Sequence, residues 1–192
     1  ISVPNPTIEP LSGGVSALVF KITTQDQCFV LKQACKQLRV KEVWLSDPAR
    51  IEQEFLFLRA FHSLAPRGYL AEPLWHDNKN HVIAMTLAPA PATPWKTELL
   101  NLIADRVRAE QAATILAAIH NKGPSLKKDF PELLDKTIFQ QLRIEPFYER
   151  LAQKYPEYSA RIHSLRKSLL EESPTLCHGD FSPKNLLLHP NG

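Results

Sequence analysis

Three prolines within residues 88–94 divide the chain into two parts with different sequence patterns. Proline suits neither the interior of a helix nor a central strand, so this segment is predicted to be a linker. Before it, short alternating apolar runs are typical of β-strands, and after it apolar residues recur at helical spacing. We therefore expect a β-rich N-terminal lobe over residues 1–88 and a helical lobe over residues 89–192.

The composition is that of an ordinary globular protein. Hydrophobic residues make up 44% and charged residues 22% of the 192 positions, which argues against a disordered, collagen-like or repeat protein. The net charge of +3 comes from basic residues spread along the chain, so no nucleic-acid partner is expected. The longest apolar run, residues 82–88, is far shorter than the roughly 20 residues of a membrane helix. A soluble protein without a membrane partner is predicted.

The cysteines and the first residues favour a reducing compartment. Cys28, Cys35 and Cys177 include no C-x-x-C pair, which argues against a disulfide framework or a structural zinc site. The N-terminal residues lack the basic and apolar regions of a signal or transit peptide. We expect a cytoplasmic location.

A short motif over residues 178–185 carries the clearest chemistry. It reads His-Gly-Asp, with Asn185 five positions after Asp180, and three leucines follow it. A carboxylate that orients an attacking hydroxyl and an amide oxygen that holds Mg²⁺ are two requirements of phosphoryl transfer. The spacing equals that of the kinase loop H-R-D-x-x-x-x-N, with Gly179 in place of Arg. The motif is predicted to be a loop just before a buried strand. The simpler alternative is an ordinary loop in which Asp180 caps a turn and Asn185 bonds to backbone groups.

The first lobe is predicted to contain two hairpins and one helix. Residues 18–22 and 28–32 form the first hairpin, and residues 74–76 pair with 82–87 in the second. Between them, Asp47 is predicted to cap a helix that has Pro48 at its first position and ends near residue 64.

A lysine and a glutamate of this lobe are predicted to form an ion pair. Lys32 ends the second strand on the same face as Val30. A cation that could bind phosphate therefore lies beside an apolar side chain that could cover a nucleotide base. On the helix, Glu54 falls inside the apolar arc formed by Ile51, Phe55 and Phe61. A carboxylate buried there needs a cationic partner, and Lys32 is the candidate, although Glu54 reaching water at the lobe edge is the alternative.

Two further segments have the composition of nucleotide contacts. Gly13, Gly14 and Ser16 lie just before the first strand, where backbone groups of a loop can close over phosphates. Met85, Thr86 and Leu87 lie before the linker, where backbone N–H and C=O groups can contact an adenine edge. A common turn and a plain strand end explain the same residues equally well.

The second lobe is predicted to be helical over three stretches. They cover residues 99–120, where His120 closes a helix as a core residue, 131–155 with an interruption at Pro146, and 156–172. The last of these carries an apolar stripe of Ile162, Leu165 and Leu169.

In their order along the chain, these motifs resemble the kinase-like small-molecule phosphotransferases, the aminoglycoside phosphotransferase and choline kinase superfamily. The order is the Gly13-Gly14 loop, Lys32, Glu54 and the His178-Gly179-Asp180 motif with Asn185. The resemblance covers nearly the whole chain. It implies an α+β, protein-kinase-like two-lobe fold with an antiparallel sheet and one helix in the N-terminal lobe. It also implies ATP and Mg²⁺ as cofactors, Asp180 as catalytic base and Asn185 as a metal ligand. Lys32 would contact the α- and β-phosphates, Glu54 would hold it, and residues 85–88 would form the hinge.

One element of the superfamily is missing from this sequence. A second metal-binding aspartate follows the catalytic loop in these enzymes, at the end of the next strand, and the sequence ends at Gly192 before that position. We expect the chain to be a fragment, or a shortened form, of a longer enzyme and to be inactive or nearly so alone.

Three functions agree with these residues. The first is transfer of the γ-phosphoryl group of ATP to the hydroxyl of a small molecule, and the second is a non-catalytic, pseudokinase-like binding module. A protein kinase is the third. The residues leave the acceptor and the oligomeric state open.

Overall fold

The computed structural model describes residues 5–11, 14–66 and 68–190. Strands dominate its first half and helices its second half. The strands are β1 Thr7–Pro10, β2 Ala17–Thr23, β3 Cys28–Ala34, β4 Pro73–Asp77, β5 Val82–Thr86, β6 Thr93–Pro94 and β7 Leu187–Leu188. The α-helices are α1 Arg50–His62, α2 Trp95–Leu100, α3 Arg106–Asp129, α4 Thr137–Phe139, α5 Arg150–Lys154 and α6 Ser159–Glu171.

Within the described residues, five strands form one antiparallel sheet in the order β1-β2-β3-β5-β4. Both predicted hairpins, β2–β3 and β4–β5, are confirmed. Helix α1 covers one face of the sheet, where side chains from β3, β5 and α1 form a buried cluster. This cluster contains Ala34, Ile51, Phe55 and Ile83, with Met85 packed against it. The α+β fold class is confirmed, with a sheet in the N-terminal part and helices in the C-terminal part.

The start of α1 differs from the prediction. The helix begins at Arg50, not at Pro48, because Asp47 and Pro48 belong to a separate turn. In that turn the Asp47 carboxylate accepts a bond from the N–H of Ala49 at 2.9 Å, and the Asp47 carbonyl accepts from the N–H of Arg50 at 3.2 Å. Asp47 therefore caps the turn that leads into the helix, and the N-cap residue of the helix itself is Ala49, two residues later.

The predicted helix over residues 99–120 is wrong at both ends. Helix α2 ends at Leu100, and α3 begins after Asp105, whose carboxylate accepts the N–H of Val107 at 2.8 Å. Helix α3 then continues to Asp129 through Pro124. Proline has no N–H for the carbonyl four residues earlier, and that carbonyl, of His120, accepts the Thr175 hydroxyl at 2.6 Å instead. His120 itself is exposed and does not lie in the core.

A glycine of α3 allows the chain before the loop of residues 178–185 to pass close to the helix. A Cβ at Gly123 would lie 2.6 Å from the backbone nitrogen of Leu176, a distance that real Cβ atoms do not show. Gly123→Ala is therefore expected to lower the free energy of unfolding by about 1–3 kcal/mol in urea denaturation. Asn121→Ala, at an exposed position of the same helix, is the control and is expected to change it little. An unchanged unfolding midpoint for Gly123→Ala would contradict this close approach.

Pro146 does not interrupt the next helical stretch as predicted. Residues Gln140–Glu149 form a π-helix that joins α4 and α5 without a break. In a π-helix the N–H of residue 146 would bond the carbonyl of Gln141, and proline lacks that N–H. The indole N–H of Trp44, from the segment before α1, donates to the Gln141 carbonyl instead, at 3.3 Å.

The last helix and the last strand are less buried than predicted. Helix α6 lies close to its predicted range, but in its apolar stripe only Ile162 is buried, while Leu165 and Leu169 are exposed. Two of the three leucines after the motif form strand β7, and Leu187 is 56% exposed, so the prediction of a buried strand is wrong. Strand β7 pairs with β6, which belongs to the proline-rich linker. None of the described helices has the length and apolar character to cross a membrane.

Candidate active site

Lys32 and Glu54 form an ion pair between β3 and α1. The Lys32 ammonium donates to both carboxylate oxygens of Glu54, at 2.6 and 2.7 Å. The side chains keep 27% and 35% of their surface exposed, so the pair lies at the edge of the apolar cluster and not inside it. The structure therefore shows the predicted contact, and it also shows Glu54 reaching water. A phosphate approaching from solvent would meet an ammonium that is already oriented.

The sheet register places two of the predicted base contacts opposite each other. Val30 on β3 pairs with Met85 on β5, and Val30 is 7% exposed. Lys32 lies two residues further along the same face. The N–H of Thr86, by contrast, already donates to the Glu72 carbonyl at 2.9 Å, so that N–H is not available to a base. Leu87 follows the end of the strand.

The predicted phosphate loop is only partly described. Gly13 lies outside the described residues, whereas Gly14 is exposed and Ser16 is half-buried. The carbonyl of Ser16 accepts the N–H of Cys35 at 3.0 Å and also a bond from the Arg50 guanidinium. The end of this loop is thus attached to Cys35, the residue after β3, and to the first turn of α1.

Arg50 organises this region and was not singled out in the sequence. It is 9% exposed and donates to four backbone carbonyls: Ser16, Cys35, Ser46 and Asp47. Burial lowers the pKa of Arg50 below its ordinary value, although the nearby charges of Cys35, Asp47 and Glu54 oppose this effect. The signal available in the sequence was a charged residue immediately before Ile51 on the buried face of the helix.

The motif residues Asp180 and Asn185 lie in one compact loop. A 3₁₀ turn, Pro183–Asn185, folds the loop back so that the Asn185 amide nitrogen donates to the Asp180 carbonyl at 2.8 Å. The bond uses the amide nitrogen, so the amide oxygen is the atom left for a metal. Gly179 has a φ of +77°, a conformation that favours glycine and explains the glycine before Asp180.

Two cations hold the Asp180 carboxylate. Arg143 Nη2 lies 3.1 Å and Lys184 Nζ 3.0 Å from the same oxygen, Oδ2. Partial burial by itself would raise the pKa of Asp180, but hydrogen bonds from Lys184 and Asn185 and the charge of Arg143 outweigh it. The pKa of this carboxyl therefore lies below its usual range. Arg143 is a second residue that the sequence pattern did not identify, because it lies 37 positions before the aspartate.

His178 lies between the two groups of predicted site residues. Its ring makes edge contacts with Phe57 of α1 and with Phe181, with centroids 5.9 and 5.7 Å away. Burial lowers the pKa of His178, and the charges of Asp180, Glu54, Arg143 and Lys32 all act on it. Its Nδ1 accepts the Asp180 N–H at 3.3 Å, which requires the neutral ring. The ion pair and the loop that carries Asp180 are therefore both within electrostatic reach of His178.

The described residues hold no group of three His, Cys, Asp or Glu side chains that would bind a metal. Mg²⁺ nevertheless fits the donors of the loop, because this ion keeps several waters and takes only one or two protein oxygens besides substrate phosphates. The Asn185 amide oxygen supplies one such donor. A Mg²⁺ ion held by Asn185 would take its other ligands from water and from the phosphates of a nucleotide.

A lysine–glutamate pair between a sheet and its helix, followed by helices and an Asp-x₄-Asn loop, defines a kinase-like phosphotransferase. The chain belongs to the phosphotransferase enzyme family APH, whose profile matches residues 7–192. A comparison with curated proteins found no match.

Proposed function

We propose that the protein transfers the γ-phosphoryl group of ATP to a hydroxyl group of a small molecule. The observation that carries this proposal is that the Lys32–Glu54 pair and the Asp180 loop both lie close to His178, whose ring contacts Phe57 of α1. One group suits the phosphates of a nucleotide, and the other suits an acceptor hydroxyl and a metal. A cavity of about 550 Å³ beside Arg143, His178 and Gly179 is of the size that small-molecule sites have, which supports a small acceptor.

In this proposal each residue has a distinct task. Lys32 contacts the α- and β-phosphates, and Glu54 keeps its ammonium in place. Val30 and Met85 face the base, and Gly14 and Ser16 belong to the loop over the phosphates. Mg²⁺, when bound, neutralises charge on the phosphates, and the Asn185 oxygen would hold it.

Asp180 acts on the acceptor. Its carboxylate accepts a hydrogen bond from the acceptor hydroxyl and directs a lone pair of that oxygen at the γ-phosphorus. The new oxygen–phosphorus bond forms as the bond to the β–γ bridging oxygen breaks, ADP leaves, and the hydroxyl proton passes to the carboxylate. A carboxyl with a lowered pKa is a weak base, which suits a reaction in which positioning matters more than early proton removal.

Nucleotide binding is the first part of this proposal to test. Mg²⁺–ATP at 100 times its Kd is expected to stabilise the chain by about 2.7 kcal/mol, a shift of several degrees in a thermal-shift titration. Lys32→Met is expected to weaken this binding by about 10- to 100-fold, because a charge-assisted hydrogen bond to phosphate is lost. Glu54→Gln is expected to weaken it less, because the ammonium remains but loses its orientation.

Lys21→Met is the matched control for this experiment. Lys21 forms a comparable ion pair with Glu9 in the same sheet, at 3.1 Å, and has no assigned contact with nucleotide. Its titration should match that of the unaltered chain. Equal affinity of the Lys32→Met variant would contradict the proposed phosphate contact. Nucleotide binding without phosphoryl transfer by the full product of the natural gene would favour the non-catalytic binding module.

A further inference from the structure

We infer that Arg143 is a positioning residue for Asp180. The inference rests on the proposed function, in which the Asp180 carboxylate orients the acceptor hydroxyl. Arg143 acts through this carboxylate and not on the reacting atoms. Its role is to fix the catalytic loop against the helical part of the protein.

Arg143 contacts two consecutive residues of the loop. Its Nε donates to the Gly179 carbonyl at 2.9 Å, and its Nη2 lies 3.1 Å from Oδ2 of Asp180. Nη1 donates to the carbonyl of Leu142, on its own helix, at 2.9 Å. The bond to Leu142 therefore fixes the guanidinium on its own helix, while its other nitrogens bind the loop backbone at Gly179 and the Asp180 carboxylate. A planar guanidinium fits such a double contact, whereas an ammonium does not.

The π-helix that carries Arg143 is itself bonded to the segment before α1 through Gln141. The Gln141 side-chain oxygen accepts the N–H of Asp47 at 2.8 Å and the hydroxyl of Ser46 at 3.1 Å. Both residues belong to the segment that Arg50 binds through its carbonyls. A chain of contacts thus runs from the loop before β2 through Arg50 and Gln141 to Arg143 and Asp180.

Lys184 cannot replace this function, although it contacts the same carboxylate oxygen. It lies four residues after Asp180 in the same loop and is 56% exposed, so its bond moves with the loop. Gly179 gives the backbone before Asp180 unusual conformational freedom. Among the described side chains, Arg143 is the one that binds this loop to a helix through both Gly179 and Asp180. A displacement of about 1 Å at a reacting group can cost about 100-fold in rate, so such a contact matters for turnover.

The test compares Arg143→Gln and Arg143→Lys in the full product of the natural gene. Arg143→Gln is expected to reduce kcat by about 10- to 100-fold and to leave the KM for ATP within about twofold, because the nucleotide contacts are untouched. Arg143→Lys is expected to recover only part of the loss. Arg150→Gln removes a guanidinium from the adjoining helix, where Arg150 pairs with Glu42, and is the matched control. An unchanged kcat in Arg143→Gln, or equal losses in both glutamine variants, would overturn the inference.

Amide hydrogen exchange provides a readout that does not depend on turnover. In Arg143→Gln the amides of residues 179–181 are expected to exchange faster, while those of α3 and α6 keep their rates. Arg150→Gln should leave the loop unchanged. If the unaltered gene product transfers no phosphoryl group, the proposed function fails, and exchange alone decides whether Arg143 positions the loop. Unchanged exchange at residues 179–181 would refute that role.

Discussion

Asp180→Asn is expected to reduce phosphoryl transfer by the full gene product by about 10²- to 10⁴-fold. The amide has nearly the same size as the carboxylate and still offers an oxygen to Arg143 and Lys184. It cannot accept the hydroxyl proton, however, and it holds the acceptor oxygen less strongly because it carries no charge. The loss should appear in kcat, whereas Mg²⁺–ATP binding in the thermal-shift titration should remain.

The matched control for this variant is Asp26→Asn in the turn between β2 and β3. Asp26 is exposed and lies in the sheet's outer turn, so the same change of chemistry there should leave kcat unaltered. A kcat for Asp180→Asn within about threefold of the unaltered enzyme would contradict the role of Asp180. Loss of nucleotide binding together with kcat would point to collapse of the loop instead.

Arg50→Met is expected to lower the free energy of unfolding by about 3–5 kcal/mol. Methionine fills much of the space of the arginine but donates no hydrogen bond. The carbonyls of Ser46 and Cys35 then lose their guanidinium donor inside the protein, and each unsatisfied buried group costs about 1–3 kcal/mol. The loop ending at Ser16 would lose its attachment to α1, so nucleotide affinity should fall as well.

Urea denaturation measures this effect, and two further variants define it. Arg59→Met, at an exposed position of the same helix, should change the free energy of unfolding by less than about 0.5 kcal/mol. Arg50→Lys keeps a charge and part of the donor set, so it should fold even if Arg50→Met does not, with an intermediate loss. A loss below about 1 kcal/mol for Arg50→Met would show that water satisfies the carbonyls.

Local patterns were sufficient for the hairpins and for the approximate position of α6. Alternation with period two and a polar turn are properties of neighbouring residues, and they predicted β2–β3 and β4–β5. The same kind of reasoning failed where a distant residue supplied the missing partner. Helix α3 continues through Pro124 because Thr175 binds the carbonyl that proline leaves free. The π-helix contains Pro146 because Trp44 does the same for Gln141.

The candidate site residues divide along the same line. Lys32, Glu54, Asp180 and Asn185 were recognisable because their chemistry depends on short spacings or on a helix face, which a sequence displays directly. Arg50 and Arg143 were not, because each acts through backbone carbonyls or a carboxylate that the folded chain brings to it. Any residue type has a backbone carbonyl, so the identity of a residue that accepts through its carbonyl does not predict the contact. Local sequence therefore indicates which side chains are candidates for the chemistry. Long-range packing determines how those side chains are arranged relative to one another.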